Sequence, residues 1–272
     1  MSSIFVKLQA IDRRIIFLMI AAAIVIPTLK PLGMPVRVTK EVKNVYDSIE
    51  ALPPRSVVLI ANDYDPASEP ELYPMTLAVM RHCFKKDLRV IAMTLWPGGP
   101  GLITRALEKA SKEYGKEEGK DYVNLGFKTG GVTVIVTMGQ DLKSAFPEAL
   151  KSEMPVLEGV KTLRDIDYAV DISAGVPGLE QWIAYGSDQY GFKLGGGSTG
   201  VMAADFYPFL ASGQLDGLMG GLKGAAEYEK LIEKPSKATA GMDAQSIAHV
   251  IIIIFVILGN IAYFTTRKDK KN

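Results

Sequence analysis

The sequence predicts an α/β protein with a mostly parallel, open, doubly wound (Rossmann-like) sheet flanked by helices and one transmembrane helix at each end. Three observations lead to this prediction. Uncharged apolar runs lie near both ends of the 272-residue chain. Between them, short continuous apolar runs typical of strands buried on both faces alternate with segments of helical periodicity. Turns rich in Gly, Pro and Asp separate the two kinds of segment.

The N-terminal segment, residues 1–36, is predicted to be an uncleaved membrane anchor. Ile15 to Leu29 contains no charged residue. The small residues Ala21 to Ala23 lie inside this run, whereas a cleavable signal peptide needs them after it. We expect the anchor to continue to residue 36, with the Lys30 ammonium snorkelling to the interface.

The middle of the chain, residues 37–233, is predicted to form one α/β domain. Predicted strands cover 56–61, 88–95, 122–126, 168–172 and 190–194, and predicted helices cover 71–84, 102–114 and 201–211. The helical segments carry apolar residues at three- and four-residue steps. The run 132–136 fits either a strand or part of a helix, because so short a segment has no decisive periodicity.

The C-terminal part predicts a flexible tether and a second span. Residues 234–243 contain Pro, Ser, Gly and Lys, a composition typical of a linker. Residues 244–266 carry no charge, and about 20 apolar residues in a helix cross a bilayer core. The basic tail, 267–272, favours a cytoplasmic position for this end. We therefore expect a two-span protein of the cell membrane with both termini cytoplasmic and the domain extracytoplasmic.

Overall composition excludes some classes of partner. The chain has 31 basic and 30 acidic residues, so it shows no charge excess for binding nucleic acid. A single cysteine and two histidines exclude a cysteine-based zinc cluster. The sequence identifies no cofactor and no metal ligands, and the expected partners are the lipid bilayer and a membrane protein or a second copy bound through the spans.

Polar and glycine-rich residues follow several predicted strands. In an open α/β sheet, ligands bind outside the carboxyl ends of the strands, where these loops converge. The ligand-binding candidates are Asp63, Asp65, Trp96, Gly98, Gly99, Ser173, Gly197, Ser198 and Thr199. The alternative is that the same residues serve turn geometry and helix capping, which βα loops need without any ligand.

Two motifs among these candidates have a chemical interpretation. Gly196 to Gly200 matches the Gly-x-Ser-x-Gly nucleophile elbow, but a triad needs a later histidine and the only one, His249, lies in the predicted span. A hydrolase would therefore need a lysine such as Lys223 as its base. The motif otherwise fits an anion-binding turn or a purely structural one. Asp63 and Asp65 fit a divalent-cation site, an acid–base pair, or an Asx turn with a helix cap. No catalytic residue is assigned.

Polar residues also occur inside the predicted second span. His249 and Asn260 would be costly facing lipid. Together with Gly259, they predict a helix–helix contact, either between the two anchors or with a partner.

The segments Leu95 to Gly99 and Tyr207 to Glu229 resemble an uncharacterised family of bacterial membrane-anchored α/β proteins. The resemblance covers nearly the whole chain and implies the architecture above, but it implies no activity. The strand followed by Pro-Gly-Gly and a helix is also similar to Clp-type and membrane serine peptidases. Those enzymes carry a serine where this chain has Gly126 to Gly131, a segment without serine.

Two functions follow as hypotheses. The first is a membrane-anchored accessory or ligand-sensing protein of a membrane complex, which is not catalytic. Two anchors favour it, because a diffusible catalyst has no need of them. The alternative is a membrane-bound hydrolase or transferase that uses a crevice at the carboxyl ends of the strands, with Ser198, Asp63 or Asp65 as its reactive groups.

Overall fold

The computed structural model describes residues 12–30, 32–150 and 154–269. It divides into two compact units, one from Val36 to Ala238 and one made of the terminal segments up to Pro35 and from Thr239 onward. The first unit contains the whole sheet. The second contains the apolar helix near the N-terminus and most of the long C-terminal helix.

The sheet confirms the α/β, Rossmann-like part of the predicted fold class. Its strands are β1 (Val57–Asp63), β2 (Arg89–Thr94), β3 (Tyr122–Phe127), β4 (Tyr168–Ser173), β5 (Lys193–Ser198) and β6 (Gly217–Gly220). They pair in the order β3-β2-β1-β4-β5-β6, and all five pairings are parallel. This is the Rossmann-like strand order, in which the direction of winding reverses between β1 and β4.

Helices cover both faces of this sheet. The α-helices of the described residues, in both units, are α1 (Arg13–Leu29), α2 (Lys40–Glu50), α3 (Glu69–Lys85), α4 (Pro100–Tyr114), α5 (Val132–Gln140), α6 (Leu142–Ala145), α7 (Leu179–Trp182), α8 (Asp188–Tyr190), α9 (Tyr207–Ser212), α10 (Gly221–Leu231) and α11 (Lys237–Asp269). Helices α2, α3, α4 and α10 lie on one face, and α5 and α7 lie on the other. The ambiguous segment 132–136 is therefore the start of a helix, α5.

Side chains alternate between the two faces of the central strands, as the pleat requires. Leu59 and Ile91 belong to a core that also holds Trp182, the largest fully buried side chain. Ile60 and Val170 are buried on the opposite face. Burial on both faces explains why β1, β2 and β4 are almost continuously apolar in the sequence.

The predicted strand at 190–194 and loop at 195–200 are displaced in the structure. Strand β5 contains Gly195, Gly196 and Gly197, because side chains from both faces approach its backbone. A Cβ on Gly195 would lie 2.6 Å from the Tyr168 hydroxyl, and one on Gly196 would lie 2.5 Å from Leu179 Cδ2. After β5, the predicted helix 201–211 consists of a 3-10 turn, Ala203–Phe206, followed by α9.

The terminal segments also differ from the predicted boundaries. Helix α1 ends at Leu29, and residues 32–39 are not helical, so the anchor does not continue as a helix to residue 36. In this segment Gly33 adopts φ +65° and Asp243 accepts the backbone N–H groups of residues 32–34. The predicted tether, 234–243, is helical from Lys237 onward. Four of the five residues after this lysine are small.

Helix α11 is long and apolar enough to cross a membrane between Lys237 and Thr265, alone among the helices of the described residues. Only 11% of its most apolar stretch is buried, unlike the core helix of a soluble domain. Helix α1 has 17 residues. Its length of about 25 Å falls short of a hydrocarbon core of about 30 Å. One possible span is therefore present in the structure, and the second remains a prediction.

Candidate functional site

The carboxyl ends of three neighbouring strands bring three predicted ligand-binding residues into one row. Asp63 pairs in register with Ser173, and Ser173 pairs with Ser198. All three residues are fully buried. Three of the residues predicted from the sequence therefore form a cluster of polar groups. Because this cluster is buried, its groups can be hydrogen-bonded within the fold but are not accessible to a ligand in solvent.

The carboxylate of Asp63 is used inside the fold. Its Oδ1 accepts the backbone N–H of Leu95 at 2.6 Å, and its Oδ2 accepts the indole N–H of Trp182 at 3.0 Å. These bonds connect the end of β1 to the end of β2 and to α7. A buried carboxylate with two donors and no access to solvent is a structural connector rather than an exposed base.

Asp171 lies two residues before Ser173 in β4 and is also fully buried. Among the described residues, neither of its oxygens accepts a hydrogen bond. Burial, and then the adjacent negative charge of Asp63, raise the pKa of Asp171 well above its ordinary value. Burial also raises the pKa of Asp63, from 3.8 to about 6. The folded protein therefore favours the protonated form of this pair more than two isolated acids would.

Sequence reasoning missed Asp171, although a signal was present. The run 168–172 reads as a strand buried on both faces, and Asp171 is its only acid. A buried acid in a central parallel strand needs a partner or a proton. The position could therefore have been singled out before the structure was known.

The hydroxyls of the glycine-rich segment are also enclosed. Ser173 Oγ accepts the Leu179 N–H at 3.1 Å at the start of α7. The Oγ of Ser198 and the Oγ1 of Thr199 are buried and have no hydrogen-bond partner among the described residues. Gly197 lies inside β5, where a Cβ would be 3.0 Å from Ile172 Cγ1. None of these groups meets solvent as a nucleophile at an elbow must.

In the turn after β5, the carboxylate of Glu71 already accepts the backbone N–H that a bound anion would use. The Gly200 N–H donates to Glu71 Oε2 at 2.8 Å. The same oxygen lies 3.1 Å from the place of a Cβ on Gly221, the first residue of α10. The turn thus already binds a carboxylate from α3, which sequence patterns could not reveal because the two segments are 129 residues apart.

The remaining candidates pack the loops after β1, β2 and β4 together. Asp65 Oδ1 accepts the Ala67 N–H at 3.0 Å, which is an Asx turn. Gly98 packs on Asp65, since a Cβ there would be 2.9 Å from Asp65 Cβ, and a Cβ on Gly99 would be 2.3 Å from Thr94 Oγ1. The Trp96 indole N–H donates to the Pro177 carbonyl at 2.6 Å. Trp96 therefore joins the loop after β2 to the loop after β4.

Three large apolar side chains are exposed at this edge. They are Phe127 at the end of β3, Val176 after β4 and Val201 after β5, with exposed fractions of 39%, 72% and 89%. A cavity of about 680 Å³ lies instead near the amino ends of the strands, beside the segment whose carbonyls accept from Arg89. Among the described residues, no group of three or more His, Cys, Asp or Glu side chains has a metal-binding arrangement.

Comparison with known proteins does not identify a family. No family model matches the chain, and no curated protein matches it. Among solved structures, a trehalose-6-phosphate synthase, OtsA, is similar with a TM-score of 0.36 and 9% sequence identity, over 90% of this chain and 49% of that chain. The chain thus spans about half the length of that enzyme. A likeness at this level carries no argument about function.

Proposed function

We propose that this chain is a membrane-anchored, non-catalytic accessory protein of a membrane complex, and that its Rossmann-like domain binds a partner through the carboxyl edge of the sheet. One observation carries the proposal: the row of polar residues at the strand ends is buried, while large apolar side chains nearby are exposed. Asp63, Ser173 and Ser198 are fully buried, whereas Val176 and Val201 are more than two-thirds exposed. Catalysis needs accessible polar groups, and a protein interface needs accessible apolar ones.

Membrane anchoring is supported by the exposed apolar surface of α11. We propose α1 as a second span, with both termini cytoplasmic and the domain extracytoplasmic. The link between residues 32–34 and Asp243 supports this arrangement, because it fastens the segment after α1 to the first turns of α11. Reporter fusions at both ends should then report the cytoplasm, and opposite compartments would contradict two spans.

The partner-binding edge is tested by photocrosslinking of the full chain in its native membrane. A photoreactive residue replaces Val176 or Val201 in separate variants. The matched control replaces Lys120, an exposed residue just before β3 at the opposite edge. We expect the first two positions, and not the third, to capture the same protein.

Substitutions separate this function from the enzymatic alternative. Val176→Asp and Val201→Asp place charges in the proposed interface and should remove both the crosslink and a cellular phenotype of the wild type. Ser198→Ala and Asp63→Asn should keep the crosslink wherever the variant accumulates to wild-type amounts. An abundant Ser198→Ala protein that crosslinks normally but lacks the phenotype would favour the hydrolase or transferase instead.

A further inference from the structure

Helix α11 carries His249 and Asn260 on the same exposed face. His249 and Asn260 are both exposed and are 11 residues apart, which is about three turns of an α-helix. Ile253 and Val256, exposed by 57% and 56%, lie between them on that face. The steps along these four residues are four, three and four. This spacing is the heptad pattern of two helices that pack along each other.

The opposite face of α11 is less exposed. Ile251, Phe255 and Leu258 are half-buried, and Ala262 is buried. Each lies two residues after a member of the first set, about 200° around the helix. One face of α11 is therefore partly buried within the chain, and the face that contains His249 and Asn260 is exposed.

We infer that the face formed by His249, Ile253, Val256 and Asn260, here called the polar seam, pairs with the same face of a second copy of this chain. The inference rests on the membrane anchoring of the proposed function. In hydrocarbon, a carboxamide that faces lipid is costly. The Asn260 side-chain N–H donates to the Val256 carbonyl of its own helix at 2.9 Å, which uses one of its two N–H groups.

A second copy is the occupant that hydrogen bonding favours. All copies of a chain insert in the same direction, so a symmetric pair places each seam residue opposite itself at the same depth. A carboxamide and a neutral imidazole are each both donor and acceptor, so Asn260 and His249 can each pair with their own copy. An unrelated helix would have to offer matching polar groups at both depths, about 17 Å apart.

Oxidative crosslinking of the full chain in native membranes tests the seam. Val256→Cys places a thiol in the seam, and Leu258→Cys places one at nearly the same depth on the opposite face. The parent chain, whose single cysteine is buried, is the background control. We expect a disulfide dimer from Val256→Cys and only the background from Leu258→Cys. Two differently tagged chains expressed together should both appear in the dimer.

A second substitution tests the role of the polar residue. In the Val256→Cys chain, Asn260→Leu should reduce the dimer yield by about fivefold, because one interhelical carboxamide pair is lost. Equal crosslinking at both cysteine positions, no dimer from protein that stays in the membrane, or a product containing another protein would overturn the seam while leaving the anchoring intact. Release of the parent chain by alkaline extraction would overturn the anchoring as well.

Discussion

Asp171 shows how one side chain couples the interior of this protein to pH. Its carboxyl group is fully buried beside that of Asp63, and both its burial and the charge of Asp63 favour the protonated acid. Asp63 can stay ionised beside it because the Leu95 and Trp182 N–H groups donate to its carboxylate. The pair therefore contributes most stability when both acids are protonated and less as each of them ionises.

The pH dependence follows from raised pKa values in the folded state. Between pH 4 and the folded pKa, the native state binds more protons than the unfolded state, so stability is full at low pH and falls as pH rises. For Asp63, a pKa of about 6 instead of 3.8 corresponds to a loss on the order of 3 kcal/mol. Asp171→Asn removes one titrating group and can donate an N–H to Asp63, so the fall should become shallower.

Urea unfolding between pH 5 and 8, followed by tryptophan fluorescence, measures this effect. Asp205→Asn is the matched control, because Asp205 is an exposed acid and its replacement should leave the slope unchanged. If the Asp171→Asn protein loses stability with pH as steeply as the parent, Asp171 is not one of the titrating groups.

At the scale of elements, the link between residues 32–34 and α11 depends on one carboxylate. Asp243 is buried and accepts three consecutive backbone N–H groups at 2.8, 2.9 and 3.0 Å. Gly33, with φ +65°, allows these groups to converge. The charge of the carboxylate strengthens all three bonds, which an amide with a single oxygen cannot replace.

Asp243→Asn should therefore loosen the segment that follows α1. A loss of about 1.4 kcal/mol would raise tryptic cleavage after the exposed Arg37 by about tenfold. Asp12→Asn serves as the control, since Asp12 accepts the Arg14 N–H at the start of α1 and should not affect this site. Timed proteolysis in detergent, followed by mass spectrometry, measures the rate. Equal rates in the parent and the Asp243→Asn chain would exclude the carboxylate as the link.

At the scale of the molecule, the chain forms two units, an α/β unit and a unit of apolar terminal helices. The unit from Val36 to Ala238 contains the whole sheet and its helices. It also contains Glu229, whose carboxylate accepts the N–H groups of Ser236 and Ala238 and so closes the C-terminal boundary of the unit. The exposed apolar residues of α1 and α11 lie outside it.

A chain limited to residues 36–238 should therefore be soluble without detergent and unfold cooperatively. Its tryptophan emission should indicate a buried indole, as Trp182 is in the structure. Ultracentrifugation and urea unfolding test this expectation. A chain limited to 36–228, which ends before Glu229, is the matched comparison and should be less stable. Aggregation of the 36–238 chain would mean that the α/β unit needs the terminal helices to fold.

Patterns of neighbouring residues determined the fold class, the strands β1 to β4, the helices α3 and α4 and the apolar character of the C-terminal helix. They succeeded because burial on both faces of a strand, or on one face of a helix, leaves its period in the residues themselves. They also placed polar residues at the carboxyl edge, although ligand binding there stays a prediction.

Only the tertiary structure decided what those residues contact. Gly195 and Gly196 form a strand because Tyr168 and Leu179 pack against them. The Glu71 carboxylate accepts the Gly200 N–H, and burial together with the charge of Asp63 raises the pKa of Asp171. Each of these contacts joins residues far apart in the chain. A local sequence pattern indicates whether a residue is buried. Which group it contacts is decided by the packing of elements that are distant in the chain.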